Sequence, residues 1–582
     1  MLLAWLVFPG AVRGQDVTFS STRGFYDAPF QLALSTGLAG GRVCYTTDGS
    51  VPTPTAGTLY AGPIALTTTS VVRAVAYAGA VATPVATHSY LFLNDVLRQP
   101  KTVAGWPNHA YALGAGTATA VHDYEMDPNV VNAPAYRAAA KTGLTVIPTM
   151  SLVLNKDDFW DLYEGDASHP TSVEVFYPDG AREQFNCALG PHSTNRLKRS
   201  LALGFSTRVA TQLLQKAPFN GPGTATTFKD TKIVLRAGNN RSWARNWNPD
   251  RTAYTHDEWY RESQQAISGE GGRGTFVHLY VNGLYWGLYN PVERTDEGML
   301  ANYFGGANAD WMALDQDSIR SGDGTRFNYL TTTLVNQDLR VPANYAQFQQ
   351  YLDVTKFCDY LILTWMAGMG DWPNNNFHGA NRNAPAQPFW YSAWDCEWSW
   401  DVTNGSNLGA WVHPEFRVAT PGTSTLAKLW HAARRNLAFL QLFADRVYRN
   451  CFNAGGLTDA AARARWARVN NFIQTAIVDE SARWGDALGD GVTRTRDGYW
   501  APEVACVDGL MNGNVARLVA ALVAEGYYPT VGAPGFGQEG GAVAPGFALV
   551  LTNPNAGGTV YYTTDGTDPA TAAGAAGATP AP

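Results

Sequence analysis

The sequence predicts an α+β fold in which a β-rich first part is followed by a helical last part. Three observations support this prediction: short alternating segments between turn residues in the first part, apolar residues spaced three and four apart between about 424 and 529, and a strand-and-turn motif that occurs near both ends. At 582 residues, the chain is long enough for several domains.

Residues 1–15 have the character of the last part of a secretory signal peptide. Leu2 to Phe8 are apolar and small residues follow, whereas the basic start of such a peptide is lacking. We therefore expect a truncated signal peptide and a protein that is secreted or held at the cell surface. A disordered N-terminal tail is the alternative interpretation.

Composition and charge exclude two kinds of partner. The net charge of -7 offers no basic face, so we expect no nucleic-acid partner. After the first residues, no stretch reaches the roughly 18 apolar residues that a membrane-spanning helix needs, so we expect no transmembrane segment. The six cysteines form no CxxC pair, which argues against a zinc ribbon and leaves open whether they form disulfides or are buried thiols.

A repeated motif marks both ends of the chain. CYTTDGSVP, which begins at Cys44, returns as YYTTDGTDP from Tyr561, and each copy reads as a strand followed by a tight turn. Short strands around the first copy predict a small β-sandwich over residues 16–92. The motif resembles the chitobiase/β-hexosaminidase C-terminal-type module, which implies a spacer or accessory domain that can contact carbohydrate. Residues 530–582 are predicted to be a linker and a partial second copy, so we expect the sequence to be a fragment.

Residues 94–529 form the predicted main domain. Its last part, about 424–529, contains three stretches with helical apolar spacing, and the final one ends at Gly526 shortly before Pro529. Earlier, FVHLYVNGLYWGLYNPVER predicts a hairpin around Asn282 and Gly283, the pair best suited to a type I′ turn.

A stretch rich in acids, asparagines and aromatic residues runs from 371 to 401, DWPNNNFHGANRNAPAQPFWYSAWDCEWSWD. It predicts a second hairpin joined around APAQ, with Asp395 and Glu397 on one face of the second strand. Folding of this hairpin would bring Asp395 back towards Asn376. Amide and carboxylate oxygens suit a hard cation such as Mg²⁺. Turn or cap residues are the alternative interpretation of these side chains.

The spacing from Asp371 to Asn376, followed by a later Asp, parallels the arrangement that serves phosphoryl transfer. In that arrangement one Asp accepts the hydroxyl proton, an Asn and an Asp hold Mg²⁺, and a Lys–Glu pair positions the nucleotide phosphates. Lys198 and Glu293 are the candidate pair. The sequence has neither GxGxxG nor GxxxxGK[ST], which excludes ordinary protein kinases and P-loop enzymes as close relatives.

Several blocks resemble the CotH kinase family of secreted atypical kinases, among them LKRSLALGF, IVLRAGNN, LYVNGLYWGLYNPVER, NNNFHGA, FWYSAWDCEWSWD and DESARWGD. The resemblance implies a distantly kinase-like fold that uses ATP and Mg²⁺ or Mn²⁺ to phosphorylate Ser or Thr hydroxyls of extracellular or surface proteins. The residues to which it assigns roles are Lys198, Arg236 and Glu293 for the nucleotide, Asp371 as acid/base, and Asn376, Asp395 and Glu397 for the metal.

Two further hypotheses remain open from the sequence. The first is a kinase-like scaffold without activity, in which the main domain binds a partner and the sandwich modules present it. The second is carbohydrate binding, which rests on the sandwich resemblance and on the tryptophans. Retention of the five polar positions Lys198, Glu293, Asp371, Asn376 and Asp395 favours the kinase, because a scaffold has no need for all five.

Overall fold

A computed structural model describes residues 16–114, 117–215, 227–369, 372–400, 424–569 and 579–580. The chain divides into two compact units. The first unit takes in residues 1–258, 272–305 and 468–506, and the second takes in 259–271, 306–467 and 507–582. The predicted signal peptide and Asp371 lie outside the described residues, as do the stretches 401–423 and 570–578.

Strands dominate the first part of the chain and helices the last part. The strands are β1 Val17–Phe19, β2 Gly24–Tyr26, β3 Phe30–Leu32, β4 Leu34–Thr36, β5 Arg42–Thr46, β6 Thr58–Leu59, β7 Ile64–Leu66, β8 Ser70–Ala78, β9 Val81–Ala82, β10 Ala86–Phe92, β11 Ala110–Ala112, β12 Thr119–Val121, β13 Thr149–Val153, β14 His169–Phe176, β15 Arg182–Pro191, β16 Leu201–Phe205, β17 Val209–Ala210, β18 Thr227–Phe228, β19 Thr231–Arg236, β20 Val277–Val281, β21 Leu284–Glu293, β22 Trp311–Asp315, β23 Ser318–Ser321, β24 Phe377–Arg382, β25 Trp390–Ala393, β26 Gly535–Phe536, β27 Leu551–Thr552, β28 Tyr561–Tyr562 and β29 Thr579–Pro580. The helices are α1 Leu93–Val96, α2 Pro128–Val131, α3 Arg137–Val146, α4 Lys156–Glu164, α5 His256–Ser268, α6 Glu297–Phe304, α7 Thr325–Thr332, α8 Pro342–Gln349, α9 Val354–Ala367, α10 Thr425–Ala433, α11 Leu437–Cys451, α12 Asp459–Ile473, α13 Ile477–Trp484, α14 Ala501–Met511 and α15 Asn514–Ala524.

The first unit begins with the predicted β-rich domain. Its main sheet has the order β2-β10-β8-β5-β6, and β1 pairs with β4 while β3 pairs with β7. Leu32, Val43, Val72 and Tyr90 belong to an apolar core that is built from sandwich residues alone. This separate core confirms a β-rich N-terminal domain.

A closed seven-stranded barrel follows in the same unit, in the order β13-β14-β15-β16-β19-β21-β20. Six of its seven strand pairings are antiparallel, and the parallel pairing of β20 with β13 closes the ring. Leu152, Val173, Leu203, Ile233 and Leu279 are fully buried in its core. Closure leaves none of these strands with an open edge.

The hairpin predicted around Asn282 and Gly283 joins β20 to β21. Asn282 has φ 49° and Gly283 has φ 82°, the two positive values that a type I′ turn requires. The Asn282 side chain also accepts from the Leu154 amide at 3.1 Å and donates to the Leu154 carbonyl at 2.9 Å. The prediction is confirmed, and the asparagine additionally ties the turn to the end of β13.

Helix α13 lies on strand β21 of the barrel, and a glycine makes this approach possible. A Cβ at Gly287 would lie 2.5 Å from Trp484 Nε1 and 2.7 Å from Glu480 Oε2. Gly287 also has φ 121°, which a side chain would rarely allow. The absence of a side chain at this position therefore sets the distance at which α13 can supply groups to the barrel.

The second unit contains a four-stranded antiparallel sheet in the order β23-β22-β24-β25. Almost every residue of helix α9 is buried. Asp353 caps its N-terminus, where the side chain accepts from the Lys356 amide at 3.0 Å. Asp359 of α9 is held by Arg446 at 2.6 Å and by Asn450 at 2.6 Å, both from α11. These contacts hold α9 against α11.

The helical last part that the sequence predicts is confirmed by α10 to α15. Helix α15 ends at Ala524, and Gly526 beyond it has φ 76°, as expected for the residue that stops a helix. Within the described residues, no single helix is long and apolar enough to cross a membrane. One bent pair of helical segments reaches that length and composition when the two are taken together, Arg496–Met511 with Asn514–Ala524. None of the six cysteines forms a disulfide in the described chain.

Candidate functional site

Lys198 is a buried cation of the first unit. Its side chain is 1% exposed, and its ammonium donates to the Leu288 carbonyl at 2.9 Å and to Glu480 Oε1 at 2.5 Å. The acidic partner of Lys198 is therefore Glu480. The pairing of Lys198 with Glu293 that the resemblance implied is wrong, because helix α13 supplies a carboxylate from 282 residues away.

Aromatic rings enclose the Lys198 ammonium. The centroids of Tyr289, Tyr254 and Trp484 lie 4.9, 5.6 and 5.6 Å from Nζ. Burial lowers the pKa of Lys198, and the Glu480 carboxylate opposes that effect. The ring faces and the carboxylate together stabilise a cation that burial alone would discharge.

Glu480 is positioned by two elements. Helix α13 places it beside Gly287, and its second oxygen accepts from the Leu288 amide at 2.7 Å. The same strand residue thus offers its amide to Glu480 and its carbonyl to Lys198. Glu480 belongs to the block DESARWGD that carries the family resemblance. The sequence did not predict its pairing with Lys198, because the pairing depends on how α13 packs on the barrel.

Glu293, at the end of β21, has partners of its own. Its Oε1 accepts from the Tyr303 hydroxyl at 2.7 Å, and Oε2 accepts from the Arg273 amide at 3.1 Å. Complete burial raises the pKa of Glu293 to about 7, and burial likewise raises the pKa of nearby Asp296 to about 6. This end of the barrel therefore holds two carboxyl groups that can take up and release protons near neutral pH.

Arg236 ends strand β19 and is buried. Its Nε lies 2.9 Å from Asp257 Oδ2, and it stands opposite Asn290 of β21 in the strand register. Asn290 donates to Glu258 at 2.9 Å and to the Thr275 carbonyl at 2.6 Å. Arg236, which is predicted to bind nucleotide, thus belongs to a buried polar group where β19 ends opposite Asn290 of β21.

The predicted metal ligands lie in the second unit, and one local prediction about them is wrong. Strand β25 ends at Ala393, so Asp395 and Glu397 do not lie on one face of it. Asp395 has φ 52° in the left-handed region, and Glu397 lies in a 3-10 turn, Cys396–Trp398. The change of backbone direction at Asp395 ends the alternation on which the prediction depended.

The hairpin nevertheless brings the two ends of this stretch together. Phe377 pairs with Ala393, so Asn376 and Asp395 lie at the same end of the β24–β25 hairpin. Both are partly exposed, Asn376 has φ 67°, and Glu397 is buried. The oxygen donors of Asn376 and Asp395 fit a hard cation such as Mg²⁺ in chemistry and in access to solvent.

Aromatic packing surrounds this hairpin end, as the composition of the stretch suggested. Trp394 is buried and stacks on His378 with ring centroids 4.3 Å apart. Tyr391 is buried between Phe377 and Phe389 at 5.6 and 4.8 Å. These contacts hold the backbone that leads into Asp395.

Another group of carboxylates was missed from the sequence. Asp123, Glu125 and Asp486 of the first unit have oxygens within 4.8 Å of one another. Lys101 Nζ lies 2.6 Å from Asp123, so a protein cation already neutralises part of this charge. No pattern in the sequence links residue 486 to 123 and 125, because the contact is made by tertiary folding.

Comparison with protein families gives two matches. Residues 267–500 match the model of the CotH kinase protein family, and residues 21–88 match that of the chitobiase/beta-hexosaminidase C-terminal domain. No curated protein matches the chain. The first match covers β20, β21 and α13, which hold Glu293 and Glu480, and also the β24–β25 hairpin. Part of the chain is therefore similar to the CotH kinase protein family, and an earlier segment is similar to the chitobiase/beta-hexosaminidase C-terminal domain.

Proposed function

We propose that the protein is a secreted CotH-type kinase that transfers the γ-phosphate of ATP to Ser or Thr hydroxyls of extracellular or surface proteins. The observation that carries this proposal is the family match over residues 267–500. The buried Lys198–Glu480 pair supports it, because a Lys–Glu pair that orients the nucleotide phosphates is a recurrent part of phosphoryl-transfer sites.

The proposal gives separate tasks to the residues of the two units. Lys198, with Arg236, serves the nucleotide phosphates in the first unit, where Glu480 keeps Lys198 charged. Asn376 and Asp395 hold Mg²⁺ or Mn²⁺ in the second unit, and Asp371 accepts the proton of the attacking hydroxyl. When bound, the cation neutralises charge on the phosphates. In this proposal Glu293 also belongs to the nucleotide site, and Glu397 is an additional metal ligand.

The test compares Asp395→Asn and Asp371→Asn with the wild type. Thermal shift with ATP and Mg²⁺ measures binding, and transfer of labelled γ-phosphate to dephosphorylated casein and to the chain itself measures turnover. We expect Asp395→Asn to weaken Mg²⁺-ATP binding and abolish transfer. We expect Asp371→Asn to keep binding but lose at least about a hundredfold in turnover, because a proton acceptor acts in the chemical step.

Asp508→Asn is the matched control, since Asp508 pairs with Arg463 at 2.7 Å at the surface of the second unit. It should leave binding and transfer unchanged. If ATP with Mg²⁺ does not raise the melting temperature of the wild type at any concentration, the kinase proposal fails and the inactive scaffold remains. Carbohydrate binding has no specific support beyond the sandwich family.

A further inference from the structure

The N-terminal sandwich is packed on the barrel within the first unit. Leu91 at the end of the sandwich shares an apolar cluster with Phe176 and Tyr280 of the barrel. At the surface, Lys141 of α3 lies 3.1 Å from Asp27 of the sandwich. The two domains therefore have a common interface with buried apolar contacts, whereas a module on a free linker would have none.

The repeated turn of the sandwich is part of this interface. Gly49, which follows Asp48 in the motif YTTDG, has φ 84°, and a Cβ there would lie 2.4 Å from the Leu154 carbonyl oxygen and 2.6 Å from Asn282 Oδ1. Arg73 of β8 donates to the Gly49 carbonyl at 2.9 Å and fixes the turn from the sandwich side. The turn is thus in close contact with the β20–β21 hairpin of the barrel.

At the centre of the interface lies a buried carboxyl group. Glu174 of β14 is 0% exposed, and its Oε2 is 2.5 Å from the Ser89 hydroxyl of β10. Its Oε1 accepts from the Ser89 amide at 3.2 Å and lies 3.3 Å from Arg23 Nε. Ser89 Oγ is also 2.8 Å from Ser151 Oγ of β13. The Ser89 hydroxyl donates to an ionised Glu174, whereas a protonated Glu174 can itself donate to Ser89, which then donates to Ser151.

We propose that Glu174 is a pH-sensitive latch, which holds the sandwich firmly on the barrel when its carboxyl group is protonated and loosens this docking when the group ionises. The flanking barrel strands present uncharged side chains to it, Ser151 on β13 and Gln184 on β15. Among titratable and charged groups, Arg23 and Tyr90 of the sandwich interact with Glu174, and His88 of the sandwich and Arg182 of the barrel interact in turn with Arg23.

The direction of the effect follows from burial. Desolvation raises the pKa of Glu174 from an ordinary value of 4.5 to about 7, although Arg23 and Ser89 oppose this shift. Docking therefore takes up a proton between these two values, so it tightens as the pH falls from about 7 to 4.5 and changes little outside that range. The difference corresponds to roughly two orders of magnitude in the docking equilibrium.

Hydrogen exchange of the β2 and β10 amides in the full chain tests the latch, after correction for the intrinsic effect of pH on exchange. Wild type and Glu174→Gln are compared between pH 4.5 and 8, with Glu539→Gln as the control at an exposed site. Relative to Glu174→Gln, we expect wild type and control to lose about a hundredfold of protection between pH 4.5 and pH 7. Burial also lowers the pKa of His88, to about 3, but that contribution is common to all three proteins and cancels in the comparison.

Two more variants distinguish the latch from general loss of fold. Arg23→Met should move the midpoint of the transition to higher pH, because the Arg23 cation lowers the pKa of Glu174. Gly49→Ala should reduce β10 protection, whereas Gly79→Ala should not, since Gly79 has φ 60° but open space around it. Identical pH profiles for wild type and Glu174→Gln, or an unmoved midpoint in Arg23→Met, would overturn the proposal. Equal effects of the two glycine variants would show that the docking itself does not exist in solution.

Discussion

At the scale of single residues, the Lys198–Glu480 pair shows how a buried charge is maintained. Neither side chain is more than 1% exposed, so each ion has lost its hydration. The Leu288 amide and carbonyl and the aromatic rings replace that water. The pair depends on both members, because removal of one leaves the other as an uncompensated charge in the core.

A double-mutant cycle at this pair tests that dependence. Lys198→Met is expected to cost about 3–5 kcal/mol of unfolding free energy, since Glu480 remains buried without its cation. Combining it with Glu480→Gln should recover more than about 1 kcal/mol, because the amide can still accept from Leu288 without carrying charge. Urea denaturation measures both quantities. Strictly additive losses would contradict the pairing.

At the scale of elements, two glycines that both lie within helices, Gly298 and Gly509, have different roles in packing. Gly298 lies in α6, and a Cβ there would be 2.0 Å from the Asp230 carbonyl oxygen. Gly509 lies in α14, and a Cβ there would meet nothing within 4 Å. Gly298 is therefore required for the packing of α6, whereas Gly509 contributes only the conformational freedom of the unfolded chain.

Alanine at these two positions should have effects of opposite sign. Gly509→Ala is expected to raise the free energy of unfolding by about 0.5–1 kcal/mol through helix propensity and a less flexible unfolded state. Gly298→Ala should lower it by about 1–3 kcal/mol, because the methyl group forces α6 away from Asp230. Chemical denaturation of each single variant beside the wild type provides the comparison. A stabilising Gly298→Ala would show that α6 is not packed as described.

At the scale of the whole molecule, the sandwich is both a domain with its own core and a cover for part of the barrel. Its internal cluster contains residues of 17–92 alone. A second cluster combines Leu91, Leu93 and Val96 with Phe176 and Tyr280. Removing the sandwich would expose this second cluster together with the carboxyl group of Glu174.

We therefore expect deletion of residues 1–92 to lower the melting temperature of the barrel and to promote aggregation through the uncovered apolar surface. Deletion of 530–582 is the control, because Val531, Phe536, Phe547 and Leu549 of that segment are exposed in the described chain. Calorimetry and light scattering of the two truncated proteins measure the effects. A 93–582 fragment that melts like the full chain would show that the barrel does not depend on the sandwich.

Local sequence determined the features that depend on neighbouring residues. The Asn282–Gly283 turn, the helical last part and the β-rich N-terminal domain were all predicted, because turn chemistry and apolar periodicity act within a few residues. The same local reasoning failed at Asp395, where a left-handed residue interrupts the strand pattern. A positive φ at an aspartate leaves no periodic signal that a sequence could show.

Tertiary structure alone decided the closure of the barrel and the partners within it. The parallel pairing of β13 with β20 joins strands more than a hundred residues apart, and Glu480 reaches Lys198 across 282 residues. Contacts of that separation depend on the shape of the assembled barrel and on the close approach that Gly287 allows to α13. The sequence supplied the charged residues and their chemistry, whereas packing of distant elements determined which of them meet.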